Sequence, residues 1–161
     1  MFDGQKVSKS RIITSVDYSM VSMEAFEIYA ANHDIHVMDF VLKLDAYTYY
    51  MMNLLDYLIG NTDRHWGNWG FLVDNRTNQP VRLFDLMDLN QTFLAYDTPD
   101  GANCMTTGNR KMSQREAAVE AVKKIGLNQR AEIKDEWFKG REKEREMFWC
   151  RFGILKEQWK A

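Results

Sequence analysis

The segment GNTDRHWGN at residues 60–68 decides how this chain is interpreted, because the hydrophobic pattern changes from one side of it to the other. Before it, apolar residues recur with helical spacing over residues 45–58, and Gly60 is a typical helix end. After it, two short apolar runs at residues 71–73 and 81–84 flank turn-forming residues and predict a β-hairpin. The segment is therefore predicted to be a loop that connects a helix to a hairpin.

Two polar residues of this loop, Asp63 and Asn68, have a spacing that phosphoryl transfer uses. An aspartate can orient the attacking hydroxyl and accept its proton, and an asparagine oxygen can bind Mg²⁺ beside it. The hairpin then returns the chain to a second carboxylate, either Asp85 or Asp88. Amide and carboxylate oxygens are ligands that Mg²⁺ prefers. The order of these parts predicts a metal-dependent site carried by the hairpin, with Asp85 and Asp88 as alternatives for the second ligand.

The same residues resemble known kinases. Residues 61–63 followed by Asn68 resemble the HipA-like kinases, and DRH at residues 63–65 is similar to the catalytic loop of phosphoinositide lipid kinases. Together with LMDLNQ at residues 86–91, the set is most similar to HipA-like or CtkA-like Ser/Thr kinases of Firmicutes and their mobile elements. The similarity extends over residues 1–95 and more loosely over the rest.

This resemblance implies an enzyme that uses ATP and Mg²⁺ to phosphorylate serine or threonine of a protein substrate. Asp63 would be the catalytic base, and Asn68 and Asp88 would bind the metal and its nucleotide. Asp88 lies in the better-matching segment, and Asp85 is the competing ligand. Arg64 and His65 would position the loop or contact phosphate.

The resemblance also implies an α+β, mostly helical fold, namely a protein-kinase-like C-terminal lobe with a small β-hairpin that carries the metal site. Residues 1–161 are expected to form a single domain. Within it, residues 1–20 would be the hinge and the end of the small lobe, residues 21–95 the catalytic core, and residues 96–161 a C-terminal helical part.

Two parts of a kinase nucleotide clamp are not found in the sequence. It contains no glycine-rich phosphate loop, and Lys6 and Lys9 do not lie in a convincing strand. Since these parts supply much of the positioning in phosphoryl transfer, we expect the chain to be inactive or weak alone. It would then be a truncated kinase, either a fragment or a naturally short form.

The remaining pattern predicts mainly helices. Residues 1–20 are expected to be extended or irregular, and residues 97–111 a loop. Ser113 and Glu116 form a predicted capping box. The predicted helices cover residues 22–32, 35–44, 45–60, 113–126 and, as one or two amphipathic helices, 135–159. The buried stripe of the third is expected to be Tyr47, Tyr50, Met51, Leu54, Leu55 and Leu58.

The composition argues against several classes of protein. A chain of 161 residues with 45% hydrophobic residues can build one core, and a net charge of −2 argues against nucleic acid as a partner. The apolar runs are too short and too interrupted to span a membrane, and the N-terminus has no signal-peptide pattern. Cys104 and Cys150 are expected to be buried or half-buried thiols, which favours a cytoplasmic protein.

Two other functions compete with the enzyme. The chain could be a non-catalytic, kinase-derived binding or regulatory module of a toxin–antitoxin or prophage system. Its partner would be a small lobe or an antitoxin-like protein, and an exposed apolar face would favour a homo-oligomer. A DNA-binding accessory protein is the third candidate, but the predicted helix at residues 114–124 has few basic residues.

Overall fold

The computed structural model describes residues 13–127 and 132–160. This part of the chain contains four α-helices and one three-stranded antiparallel sheet, so the fold is a mixed α and β fold. The strands are β1 (Tyr18–Ser22), β2 (Gly70–Asp74) and β3 (Gln79–Leu83). The helices are α1 (Met23–Ala31), α2 (Val37–Ile59), α3 (Gln114–Ile125) and α4 (Glu142–Lys160), and a 3₁₀ turn at Asp135–Phe138 precedes α4.

The sheet contains the predicted hairpin and one strand more. β2 and β3 pair antiparallel, which confirms the hairpin, and β1 pairs with the other edge of β2. The strand order is therefore β1-β2-β3. Gly70 permits this pairing, because a Cβ there would overlap the carbonyl oxygen of Val21. The extended character expected of residues 1–20 is confirmed for β1, whereas residues 1–12, with Lys6 and Lys9, lie outside the described residues.

The two helices predicted on either side of Asp45 form one element, α2, with a kink at that residue (φ −156°, ψ 66°). Asp45 nevertheless caps the second part, since its Oδ1 accepts from the backbone N–H of Thr48 at 3.1 Å. Its Oδ2 accepts from the N–H of Leu83 at 3.1 Å. The kink thus lets one carboxylate start a helix and attach it to β3.

The predicted buried face of α2 is partly wrong. Tyr50, Leu54 and Leu58 are buried, but Tyr47 is 48% exposed. The additional buried residues are Tyr49, Met52, Asn53, Asp56 and Tyr57. A single stripe does not describe the buried residues of α2, because the helix contacts three elements, α3, α4 and β3. Two of its polar positions are therefore buried among loops, and both lie next to the predicted site.

The C-terminal elements complete the core. The capping box of α3 is confirmed, with the N–H of Glu116 donating to Ser113 Oγ at 3.2 Å and Ser113 N–H donating to Glu116 Oε2 at 2.8 Å. The predicted amphipathic tail forms the 3₁₀ turn and α4, which packs on α2 and α3. Cys104 is half-buried as expected, but Cys150 is exposed, because it lies on the outer face of α4. Within the described ranges, no helix is both long enough and apolar enough to cross a bilayer.

Candidate functional site

The predicted loop leaves α2 through a sharp turn at Gly60. This glycine ends the helix in the left-handed conformation (φ 61°, ψ 39°), and its N–H donates to the carbonyls of the last turn. A side chain here would be strained and would overlap the ring of Tyr96. The turn therefore directs residues 61–69 back across the end of α2 towards β2.

Asp63 and Asn68 are in direct contact. The Nδ2 of Asn68 donates to the backbone carbonyl of Asp63 at 2.7 Å and to its Oδ2 at 3.2 Å. Asn68 is 8% exposed, whereas the Asp63 side chain is 38% exposed. Because both bonds use the amide nitrogen, the Oδ1 of Asn68 is the end of the amide directed away from Asp63.

Arg64 lies beneath the loop and is 3% exposed. Its Nε donates to Asp56 Oδ2 at 2.8 Å and its Nη2 donates to Asp56 Oδ1 at 3.0 Å. The two residues therefore form a bidentate ion pair. Its Nη1 donates to the carbonyl oxygens of Asn68 at 2.9 Å and Met87 at 2.7 Å. Arg64 therefore holds the loop against the segment that follows β3.

The two alternative metal-binding aspartates have different surroundings. Asp88 directly follows Met87, whose carbonyl Arg64 binds, and it is exposed and in the left-handed conformation (φ 54°). Asp85 is also exposed, but its Oδ1 accepts from Arg82 Nη1 at 2.6 Å. Arg64 thus attaches the Asp88 segment to the Asp63–Asn68 pair, while the carboxylate of Asp85 is occupied by an arginine of β3.

His65 lies on the exposed side of the loop, next to Asp63. Its Nδ1 accepts from the N–H of Gly67 at 3.0 Å, so its proton is on Nε2, which lies 3.7 Å from Asp63 Oδ1. A Cβ at position 67 would lie 2.9 Å from the imidazole, so the ring would have to shift if this glycine were replaced. His65 and Asp63 therefore form the solvent-facing part of the loop.

Backbone and side-chain hydrogen bonds fix the loop from three sides. The N–H groups of Met23 and Glu24, at the start of α1, donate to the carbonyls of Trp69 at 2.8 Å and Trp66 at 3.1 Å. The indole of Trp66 donates to the carbonyl of Met105 at 2.9 Å. Gln114, the first residue of α3, donates through its Nε2 to the carbonyl of Asn61. The predicted loop of residues 97–111 is thereby attached to the candidate site.

A second buried arginine lies behind the site. Arg151 of α4 is fully buried and donates to the carbonyls of Tyr57 at 2.6 Å, Thr98 at 2.7 Å and Ala95. Its guanidinium lies 4.9 Å from the ring centre of Tyr57 and 4.7 Å from that of Tyr96. Burial lowers the pKa of Arg151 and raises that of Tyr57 to about 12. This cluster joins the end of α2 to α4 and to the loop after Asp88.

The sequence predictions missed Asp56, Gln114 and Arg151. Asp56 and Gln114 are polar residues at positions that the structure buries in α2 and α3. A polar residue that interrupts an apolar helix face was the available signal for Asp56. Arg151 gave no comparable signal, because it lies in a highly charged helix.

The donor chemistry fits Mg²⁺ at Asn68 and Asp88. Both offer hard oxygen ligands, and Mg²⁺ usually keeps several water and phosphate ligands beside one or two protein groups. No group of three or more His, Cys, Asp or Glu residues could hold a metal in the part of the chain that the structure describes.

Comparisons with known proteins add little to this geometry. No protein-family model matches the sequence, and no curated protein matches it. Among solved structures, the chain is similar to a Helicobacter pylori proinflammatory kinase, CtkA, with a TM-score of 0.48 and 15% sequence identity. The match covers 91% of this chain and 69% of that one. A similarity of this size assigns neither a family nor an activity.

Proposed function

We propose that Asp63, Asn68 and Asp88 form the phosphotransfer site of a kinase-like lobe that acts with Mg²⁺ and ATP on a serine or threonine of a protein. The observation that carries the proposal is the position of Arg64 Nη1 between the carbonyls of Asn68 and Met87. It connects the loop to the residue before Asp88, while the Asn68 amide contacts Asp63 directly.

Each residue then has a role that its surroundings support. Asp63, with a partly exposed carboxylate, accepts the proton of the attacking hydroxyl. Asn68 and Asp88 hold the cation, and Mg²⁺, when bound, supplies charge neutralisation on the phosphates. Arg64 is too buried to contact a phosphate, so it positions the loop. His65 borders the carboxylate of Asp63 without a direct hydrogen bond, since its Nε2 lies 3.7 Å from Asp63 Oδ1.

A non-catalytic binding module is the second candidate, and one observation favours it. None of the three described strands carries a lysine that could pair with the α- and β-phosphates of ATP. A lobe that keeps the metal-binding residues but not the lysine would bind nucleotide weakly and act through its surface.

Calorimetric titration with MgATP tests the proposal. We expect saturable binding by the wild-type chain and a loss of about 10-fold or more in Asp88→Asn, since that change replaces a charged metal ligand with a neutral one. Asn tolerates the left-handed conformation, so the variant should fold, which circular dichroism would check. Asp85→Asn is the matched control and should bind as the wild type does.

Transfer of radiolabelled phosphate to a Ser/Thr peptide library separates the two functions. Transfer that Asp63→Asn abolishes, without a change in MgATP binding, would support the enzyme. MgATP binding with no transfer would support the binding module. Equal MgATP binding by the wild type and Asp88→Asn would refute the proposed site.

A further inference from the structure

We propose that Asp56 of α2 is a positioning residue that holds both halves of the site, namely Asp63 through Asn61, and Asn68 with Asp88 through Arg64. This inference rests on the proposed function. It adds a residue that contacts neither substrate nor metal. It also predicts a different effect for the loss of each connection, the one through Asn61 and the one through Arg64.

Asp56 is buried and accepts three hydrogen bonds. Its Oδ1 accepts from Asn61 Nδ2 at 2.9 Å and from Arg64 Nη2 at 3.0 Å, and its Oδ2 accepts from Arg64 Nε at 2.8 Å. An ionised carboxylate only accepts hydrogen bonds, so all of its partners are held as donors. Asp56 lies in the last turn of α2, and this rigid element fixes its position.

The first connection runs from Asp56 to the catalytic aspartate. Asn61 is fully buried, and because its Nδ2 donates to Asp56, its Oδ1 is free to accept from the N–H of Asp63 at 3.3 Å. The carbonyl of Asn61 is held separately by Gln114. Asp56 therefore sets the orientation of the Asn61 amide, and that amide sets the backbone of Asp63.

The second connection runs from Asp56 to the metal-binding pair. The guanidinium is planar, so binding its Nε and Nη2 to one carboxylate determines where its Nη1 lies. The two hydrogens of Nη1 reach two segments that the β2–β3 hairpin separates, at Asn68 and Met87. Lysine has no such fork and cannot reproduce these contacts.

Three variants separate the two connections. Asn61→Ala should speed amide hydrogen exchange at Asp63 and lower Mn²⁺ affinity less than Arg64→Lys does, because it affects Asn68 only through Asp63. Arg64→Lys should lower Mn²⁺ affinity by about 10- to 100-fold, the usual effect of losing a residue that orients metal ligands. It should also speed exchange at residues 86–90 but not in β2. The double variant Asp56→Asn/Arg64→Met removes both charges, so it should fold and still bind Mn²⁺ poorly.

Mn²⁺ binding is measured by the electron paramagnetic resonance signal of the free ion, and exchange is measured on the metal-free protein. Arg76→Lys, in the exposed pair with Asp17, is the matched control and should change neither. The inference is overturned if Arg64→Lys binds Mn²⁺ like the wild type and exchanges like it at residues 86–90. If the wild type binds no Mn²⁺, the proposed function fails, and the exchange data alone decide whether Asp56 and Arg64 position the two segments.

Discussion

The two buried arginines, Arg64 and Arg151, compensate their charges in different ways. Arg64 forms a bidentate ion pair with Asp56, and its remaining nitrogen, Nη1, donates hydrogen bonds to two carbonyls. Arg151 has no carboxylate within salt-bridge distance among the described residues, and its Nε has no hydrogen-bond partner there. Three carbonyls and the faces of two tyrosine rings surround it instead.

This difference separates the region of the candidate site from a region that joins α2 to α4. The carbonyl of Tyr57 lies in the last turn of α2, where the helix dipole favours a positive charge. Arg151 satisfies that carbonyl and attaches residues 95–98 to α4. Arg64 pairs with Asp56 of the same helical turn and attaches the loop at Asn68 to the segment at Met87. We therefore expect changes around Arg151 to reduce stability and changes around Asp88 to reduce function.

The largest expected effect is that of Arg151→Met on stability. The change removes three charge-assisted hydrogen bonds, to the carbonyls of Tyr57, Ala95 and Thr98, and each bond of this kind contributes about 1.5–3 kcal/mol. Removal of a buried charge that lacks a carboxylate partner offsets part of this cost. We expect the free energy of unfolding to fall by about 3 kcal/mol, measured by urea denaturation.

Arg145→Met is the control for this prediction, because Arg145 forms an exposed pair with Asp135. Exposed pairs contribute little to stability, so this variant should unfold near the wild-type midpoint. If the two variants lost equal stability, Arg151 would not be the residue that joins α4 to α2.

Local sequence signals predicted the elements that local interactions specify. Gly60 after α2 and the Ser113–Glu116 capping box each act within one helical turn. The hairpin could likewise be predicted from two apolar runs and a turn. In the site, Asp63 and Asn68 could be found because they are five residues apart, and the structure brings them into contact.

Contacts between distant residues were not predictable in this way. β1 pairs with β2 across about fifty residues, and its pattern gave no clean alternation. The burial of Asn53 and Asp56 depends on which loops cover α2, and Arg151 reaches residues far away in the chain. For the alternatives Asp85 and Asp88, the sequence offered only the match of the surrounding segment, whereas the structure adds the contacts of Arg64 with Met87 and of Arg82 with Asp85.

A smaller effect is expected from high pH, which acts on the Arg151 region. Burial raises the pKa of Tyr57 to about 12, and it also raises that of Tyr96. In the unfolded chain a tyrosine ionises near pH 10, so the stability due to a neutral Tyr57 is complete below about pH 10 and is lost as the pH rises towards 12. We expect the free energy of unfolding to fall by about 2 kcal/mol over this interval.

Tyr57→Phe tests the assignment of this pH dependence. The variant loses the hydrogen bond from the Tyr57 hydroxyl to the carbonyl of Pro99, so it should be less stable at pH 7. Its loss of stability between pH 10 and 12 should be smaller than that of the wild type, in urea titrations at each pH. An unchanged pH dependence would assign the effect to other groups.

The smallest expected effect is a gain of stability when Asp88, in the candidate site, is replaced by glycine. Asp88 holds a left-handed backbone conformation (φ 54°), which costs a residue with a side chain more than it costs glycine. Asp88→Gly should therefore raise the free energy of unfolding by about 0.5–1 kcal/mol while abolishing Mn²⁺ binding.

Asn78→Gly is a matched control, because Asn78 has the same φ of 54° in the turn between β2 and β3. It should gain a similar amount and bind Mn²⁺ unchanged. A loss of stability in Asp88→Gly alone would mean that the Asp88 side chain supports the fold, and the division between the two regions would then be wrong.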